Sequence, residues 1–146
     1  MKTRLIAVTT LALLLGACGG RYHQQMRNAW PAVEVSGDAV KAVSPDPLRF
    51  RQDQGAVVIT WRLPGGEYRF ARNGIVIDGE IDRPGSKAVS KPREQNEIVD
   101  CKPLDEARQF QCIYRNTRPG TFKYTVRVLR EGKALAPLDP EITNME

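Results

Sequence analysis

From residue 32 onward, apolar and polar positions alternate in steps of two, and turn-forming residues break the alternation every eight to twelve positions. Alternation with that period puts apolar side chains on one face of an extended strand. Ala32 to Ser36, AVEVS, is the first strand so predicted. In VVITWRL, Val57, Ile59, Trp61 and Leu63 share one face, and Val58, Thr60 and Arg62 the other. Pro64-Gly65-Gly66 then supplies a turn, since proline presets φ and glycine tolerates a positive one. Tyr68 and Phe70 alternate inward on the next strand, Asn73-Gly74 signals a tight hairpin, and Ile75 and Ile77 continue beyond it. FQCIY aims Phe110, Cys112 and Tyr114 to one side, and TFKYTVRVL aims Phe122, Tyr124, Val126 and Val128 inward. A tryptophan flanked by alternating aliphatics reads as core, so Trp61 is assigned there rather than to a sugar platform.

No window of eleven or more residues carries a helical stripe; DEARQF, Asp105 to Phe110, has room for one turn of helix. The tail PLDPEITN, Pro137 to Asn144, lacks alternation and is expected to pack along a sheet edge. Short strands with ten prolines and twelve glycines predict an all-β fold, an antiparallel sandwich of about seven to eight strands. The stretch PGTFKYTVRV, Pro119 to Val128, resembles the penultimate strand of fibronectin type III and related immunoglobulin-like domains, where a proline-glycine turn precedes a Y-x-V-x-V strand. Trp61 stands where those domains bury an early tryptophan. The resemblance implies an immunoglobulin-like β-sandwich spanning 32–146. Two features depart from it: Cys101 and Cys112 are too close in sequence to be the inter-sheet bridge of antibody domains, and Pro137 interrupts the last strand, around Lys133 to Leu138.

The first twenty residues are built differently. Lys2 and Arg4 precede an eleven-residue apolar run, Leu5 to Leu15, which ends in small residues. This is the layout of a secretory signal, and the run is too short for a bilayer core, which needs roughly 20 helical residues. Leu15-Gly16-Ala17-Cys18 resembles the lipobox of bacterial lipoproteins. That resemblance implies cleavage before Cys18, diacylglyceryl transfer to its thiol, and a signal peptide over 1–17. Acyl chains at about 0.8 kcal/mol per buried CH₂ make such an anchor effectively permanent. Gly19 in place of aspartate implies sorting to the outer membrane, facing the periplasm. Residues 18–31, polar and glycine-led, read as a tether in which Tyr22 and Trp30 either meet the membrane interface or dock on the domain.

Export simplifies the cysteines. With Cys18 lipidated, Cys101 and Cys112 form a pair in an oxidising compartment, and a disulfide is predicted. A metal site there is disfavoured: the only histidine, His23, lies in the tether. The remaining 129 residues carry 20 basic against 17 acidic side chains, interspersed. Neither a basic stripe nor stacking aromatics suggest a nucleic-acid partner.

Catalytic sets are sparse. A lone histidine in the tether removes Ser-His-Asp and Cys-His arrangements, and no cofactor motif occurs. Asp78, Glu80 and Asp82 in DGEID would share a strand face; they are expected to form a solvated face balanced by Arg69, Arg72 and Arg83 rather than to bind a cation. Arg62, Arg69, Arg72, Arg115 and Arg127 are taken to discourage strand pairing at sheet edges; alternatively they make one basic outer face. The longest aperiodic segment is residues 82–97, DRPGSKAVSKPREQNE. A loop of that length in a compact domain is functional or disordered; read as functional, it is the binding candidate, with Arg83, Lys87, Lys91 and Arg93 as the contacts. The function expected is a non-enzymatic, membrane-anchored envelope module that binds a protein or glycan, or inhibits a hydrolase there. The alternative is a carboxylate-dependent hydrolase of envelope polymers using Asp78, Glu80 and Asp82 with Glu94 or Glu97.

Overall fold

The computed structural model describes residues 26–82, 85, 89, 91, 92 and 95–145. These form two packed six-stranded sheets and one short 3-10 turn, Gln52–Gln54. Strands β1 (Arg27–Ala29), β2 (Ala32–Ser36), β3 (Ala39–Ser44), β5 (Val57–Arg62), β8 (Ile98–Leu104) and β9 (Gln109–Tyr114) make the first sheet, in the order β3-β2-β5-β9-β8 with β1 also on β5. Strands β4 (Leu48–Arg51), β6 (Tyr68–Ile81), β7 (Lys91–Pro92), β10 (Gly120–Arg130), β11 (Lys133–Ala134) and β12 (Glu141–Met145) make the second, in the order β4-β12-β10-β6-β7 with β11 also on β10. Adjacent β5-β9-β8 in one sheet and β6-β10-β12 in the other reproduce the B-E-D and C-F-G sets of immunoglobulin-like sandwiches. The strand bearing Tyr124, β10, lies between β6 and β12 in that set.

The sandwich is larger and more mixed than the sequence suggests. It has twelve strands among the described residues, and β1 with β5, β2 with β5 and β4 with β12 pair in parallel. Alternation shows which face of a strand is buried but carries no information on the direction of its neighbour. Residues Arg27–Ala29, within the stretch read as a tether, already lie along Val57–Ile59. Trp30 docks on the domain: the Arg62 guanidinium sits 3.9 Å from its ring centroid.

The core follows the alternation closely. Val57, Ile59, Trp61, Phe110, Cys112, Tyr114, Phe122, Tyr124, Val126 and Val128 are all buried. Trp61 donates its indole N–H to the Tyr124 hydroxyl across the two sheets at 3.1 Å, with ring centroids 5.3 Å apart. Phe50 and Phe122 flank Tyr114 at 5.4 and 6.1 Å. Burial pushes both tyrosine hydroxyls well above the ordinary phenol range, and the Glu97 charge adds to the effect at Tyr114. The folded state therefore favours neutral phenols. Their contribution is intact below the unfolded tyrosine pKa of about 10 and is lost as pH rises above it. Melting temperature is expected to fall steeply above pH 10, and less steeply in Tyr124→Phe, which a pH series of thermal melts reads directly.

Three expectations are corrected. Asn73-Gly74 does not turn the chain: β6 runs through it. Opposite it, Val126 pairs with Ile75 and Val128 with Phe70, so the four residues Ala71 to Gly74 face Arg127 alone. This is a large, special bulge, and it folds Gly74 back onto Phe70. A Cβ at Gly74 would stand 2.7 Å from the Phe70 Cβ and 3.0 Å from the Phe110 ring. Gly74→Ala is accordingly expected to cost about 1–3 kcal/mol through overpacking, measured by urea unfolding. The second correction concerns DEARQF: Asp105, Glu106 and Ala107 have φ of 49°, 52° and 63°, a turn of left-handed rather than right-handed sense. Hydrogen bonds from Phe70 N to Ala107 O and from Leu63 N to Arg108 O hold it in place. Third, the tail does not lie along a sheet edge. Glu141–Met145 inserts between β4 and β10 in the second sheet, with Ile142 fully buried.

Candidate functional site at the tether end of the sandwich

Strand directions bring one set of termini to a single end. Val57, where β5 begins, pairs with both Arg27 and Tyr114, and Tyr114 pairs in turn with Ile98. In the other sheet, Arg51 pairs with Met145, Asn144 with Gly120, and Thr121 with Ile81. The chain entry, the β4–β5 connection, both ends of the 82–97 loop and the β9–β10 connection therefore meet here.

A network of polar side chains fixes this end. Asn116, at φ 56°, adopts a left-handed conformation that asparagine tolerates. Its amide donates to Arg51 O at 2.7 Å and to Gly55 O at 3.0 Å, while Gln52 donates to Thr117 O at 3.0 Å. Glu97 is only 2 % exposed and accepts hydrogen bonds from the Thr117 hydroxyl and, at 2.8 Å, from the Thr117 amide. Arg118 donates twice to Glu80, at 2.7 and 2.8 Å, and lies 5.5 Å from the Phe122 ring. The Glu80 carboxylate holds the guanidinium more firmly in its charged form. Asn144 donates to Arg118 O at 2.7 Å. The Tyr114 hydroxyl, Asn116 Oδ1 and Asn144 Oδ1 are buried without a hydrogen-bond partner among the described residues. Removing the Glu97 carboxylate would lose both charge-assisted hydrogen bonds from the exposed Thr117 to this buried side chain. Glu97→Ala is expected to destabilise by about 2–3 kcal/mol, with Glu97→Gln retaining most of the loss-free stability; denaturant midpoints of the two variants test this.

The predicted binding residues divide. Cys18, Arg83, Lys87, Arg93 and Glu94 lie outside the described residues. Lys91 belongs to β7, whose backbone pairs with Gly79 and Glu80. The 82–97 loop is pinned at both ends: Gly85 N donates to Glu141 at 2.9 Å, and the Gln95 side chain both donates to and accepts from the Ile98 backbone at 2.9 and 2.7 Å.

The carboxylates of DGEID do not share one face. Lys123 pairs with Gly79 but Tyr124 with Ile77, so Asp78 sits in a bulge. Its carboxylate is 2.8 Å from the Thr125 hydroxyl, which also lies 3.0 Å from Asp139. Glu80 turns to Arg118, a partner the sequence reading did not assign. Glu97, the loop candidate for acid–base work, is committed to Thr117. No group of three or more metal-ligating side chains occurs among the described residues. Cys101 and Cys112 are disulfide-bonded between neighbouring strands of the first sheet, with Cys112 buried and Cys101 exposed.

The five arginines do not form one basic face. Arg62, in β5, belongs to the first sheet and Arg115 follows β9 there, whereas Arg69, Arg72 and Arg127 lie on β6 and β10 of the second. Sequence reading missed Asn116, Thr117 and Arg118, the residues that assemble the tether end. The only local signal was an asparagine shortly before Pro-Gly, which marks a turn without naming its long-range partners. Neither any protein-family model nor any curated protein sequence matches this chain.

Proposed function

We propose that this chain is a lipid-anchored protein of the bacterial envelope whose immunoglobulin-like sandwich serves as a non-enzymatic binding or accessory module. The observation that carries the reading is Leu15-Gly16-Ala17-Cys18 at the end of an apolar run, nine positions before the first strand at Arg27. So short a connection holds the domain at the membrane. Gly19 after the acylated cysteine favours the periplasmic face of the outer membrane. The ligand is a protein or glycan of the same compartment, met by the basic 82–97 loop through Arg83, Lys87, Lys91 and Arg93.

Cys18→Ala is expected to remove the acyl mass from the N-terminal peptide and prevent cleavage after Ala17, as intact-mass measurement of the membrane-extracted protein will read. A Cys18→Ala chain that is cleaved normally and stays at wild-type level in the detergent phase would defeat the anchor. Replacing Arg83, Lys87, Lys91 and Arg93 by serine, which leaves strand β7 its backbone pairing, should abolish recovery of the envelope partner while the thermal melt stays unchanged. Full recovery by that variant would defeat the loop assignment.

A further inference from the structure

The chain enters the sandwich at the same end that carries Arg51, Arg115 and Met145. From Cys18 to Arg27 the backbone reaches at most roughly 30 Å. The six residues of β9 set the left-handed turn at Asp105–Arg108 about 20 Å along the sandwich from that end, so the chain enters opposite the turn. An acylated Cys18 therefore turns the Arg27 end toward the bilayer.

The surface of that end has a matching chemistry. Among the described residues, Met26 at 47 % and Met145 at 40 % exposure are two of the three exposed large apolar side chains. Arg27, Arg51 and Arg115 are exposed around them, and Arg49 reaches to 3.8 Å from the Met145 sulfur. Among the described residues, the exposed acids nearest this end are Asp82, Asp100 and Asp53, the last paired to Arg51 with both side chains about two-thirds open, 64 % and 66 %. So exposed a pair holds Arg51 weakly and leaves it available to another anion. Guanidinium groups match phosphate as planar donor forks, and methionine adapts to irregular apolar surroundings.

We propose that the tether end docks on an anionic lipid surface, with Arg27, Arg51 and Arg115 meeting headgroup phosphates and Met26 and Met145 entering the acyl boundary. The proposal rests on the lipid-anchor reading and adds an orientation to it: the end built by Asn116 and Glu97 faces the membrane, and the Asp105–Arg108 turn faces away. The 82–97 loop, whose two ends leave from the membrane-facing end, meets its partner at the membrane surface.

Hydrogen exchange on the full-length protein, incorporated into phosphatidylcholine vesicles with or without phosphatidylglycerol, tests this. The backbone amides of 52–55 and 115–118 are expected to exchange more slowly on the anionic vesicles, and those of 105–108 equally on both. The variant Arg27→Glu/Arg51→Glu/Arg115→Glu should abolish the difference, each arginine being worth about a fivefold change in surface partitioning. For the wild-type protein, about 0.5 M salt should abolish it too, through screening, which keeps the test decisive if the variant misfolds. Equal exchange on both vesicle types, or slowing confined to 105–108, overturns the proposal. The intact mass of the same sample reports acylation separately. A chain lacking acyl mass removes the anchor reading, while the exchange pattern still decides the docking.

Discussion

Trp61→Ala is expected to cost about 3–5 kcal/mol in denaturant unfolding, the range for truncating a large aromatic in a packed core. The indole is fully buried, touches the Tyr124 ring from the opposite sheet, and donates the hydrogen bond that satisfies the Tyr124 hydroxyl. Alanine therefore removes the largest buried side chain and leaves a phenol hydroxyl without its partner. The two contributions separate in a double-mutant cycle. Trp61→Phe keeps most of the volume and loses the N–H, and Tyr124→Phe loses the acceptor. If the hydrogen bond contributes as buried neutral ones do, about 1 kcal/mol, the double variant will be less destabilised than the two single losses added together. Strict additivity would mean that the contact works by packing alone. A negligible loss for Trp61→Ala would contradict the burial itself.

Replacing both Cys101 and Cys112 by alanine is expected to cost roughly 3 kcal/mol, the chain-entropy contribution of closing a loop of about twelve residues. The bond joins β8, an edge strand, to β9, which lies against the Trp61 strand. Between Val99 and Lys102 the register shifts, so Asp100 and Cys101 together face Cys112. The ladder is broken at that point, and the covalent link carries the strand across it. Loss of the disulfide should therefore appear first as faster hydrogen exchange in Ile98–Leu104, ahead of the strands of the other sheet. Uniform acceleration throughout both sheets would show instead that β8 opens only with the whole domain.

Side-chain alternation made the core legible. Phe110, Cys112 and Tyr114, and Phe122, Tyr124, Val126 and Val128, are buried as their period predicts. Trp61 and the cysteine pair were equally readable, because the size of the one, flanked by alternating aliphatics, and the pairing of the other each point one way. Other features depend on partners distant in sequence. Asn73-Gly74 has the composition of a hairpin, but the packing of Gly74 against Phe70 and Phe110 makes it a bulge. DEARQF has the composition of a right-handed helical turn, but backbone hydrogen bonds to Phe70 and Leu63 hold it left-handed. EITNM looks polar although Thr143 and Asn144 are buried: the Thr143 hydroxyl meets that of Thr121, and the Asn144 amide donates to Arg118 O. The tether-end network was hidden for the same reason. Glu80 and Arg118, or Glu97 and Thr117, become partners only after two sheets and several connections are in place.

The position of β12 also bears on the order in which the protein can be made. Its five residues are the last strand described, yet they pair with β4 on one side and β10 on the other, joining Leu48 to Ile142. Synthesis supplies the amino-terminal part first, so β4 must wait for a partner from the far end of the chain. Until Glu141–Met145 emerges, β4 and β10 present two facing rows of unpaired backbone groups, and the second sheet has a gap at its centre. Closing so long a connection is slow for reasons of chain entropy alone. The first sheet, complete by Tyr114, needs nothing from β12, so the two sheets can be finished one after the other, the second only once Glu141–Met145 is in place.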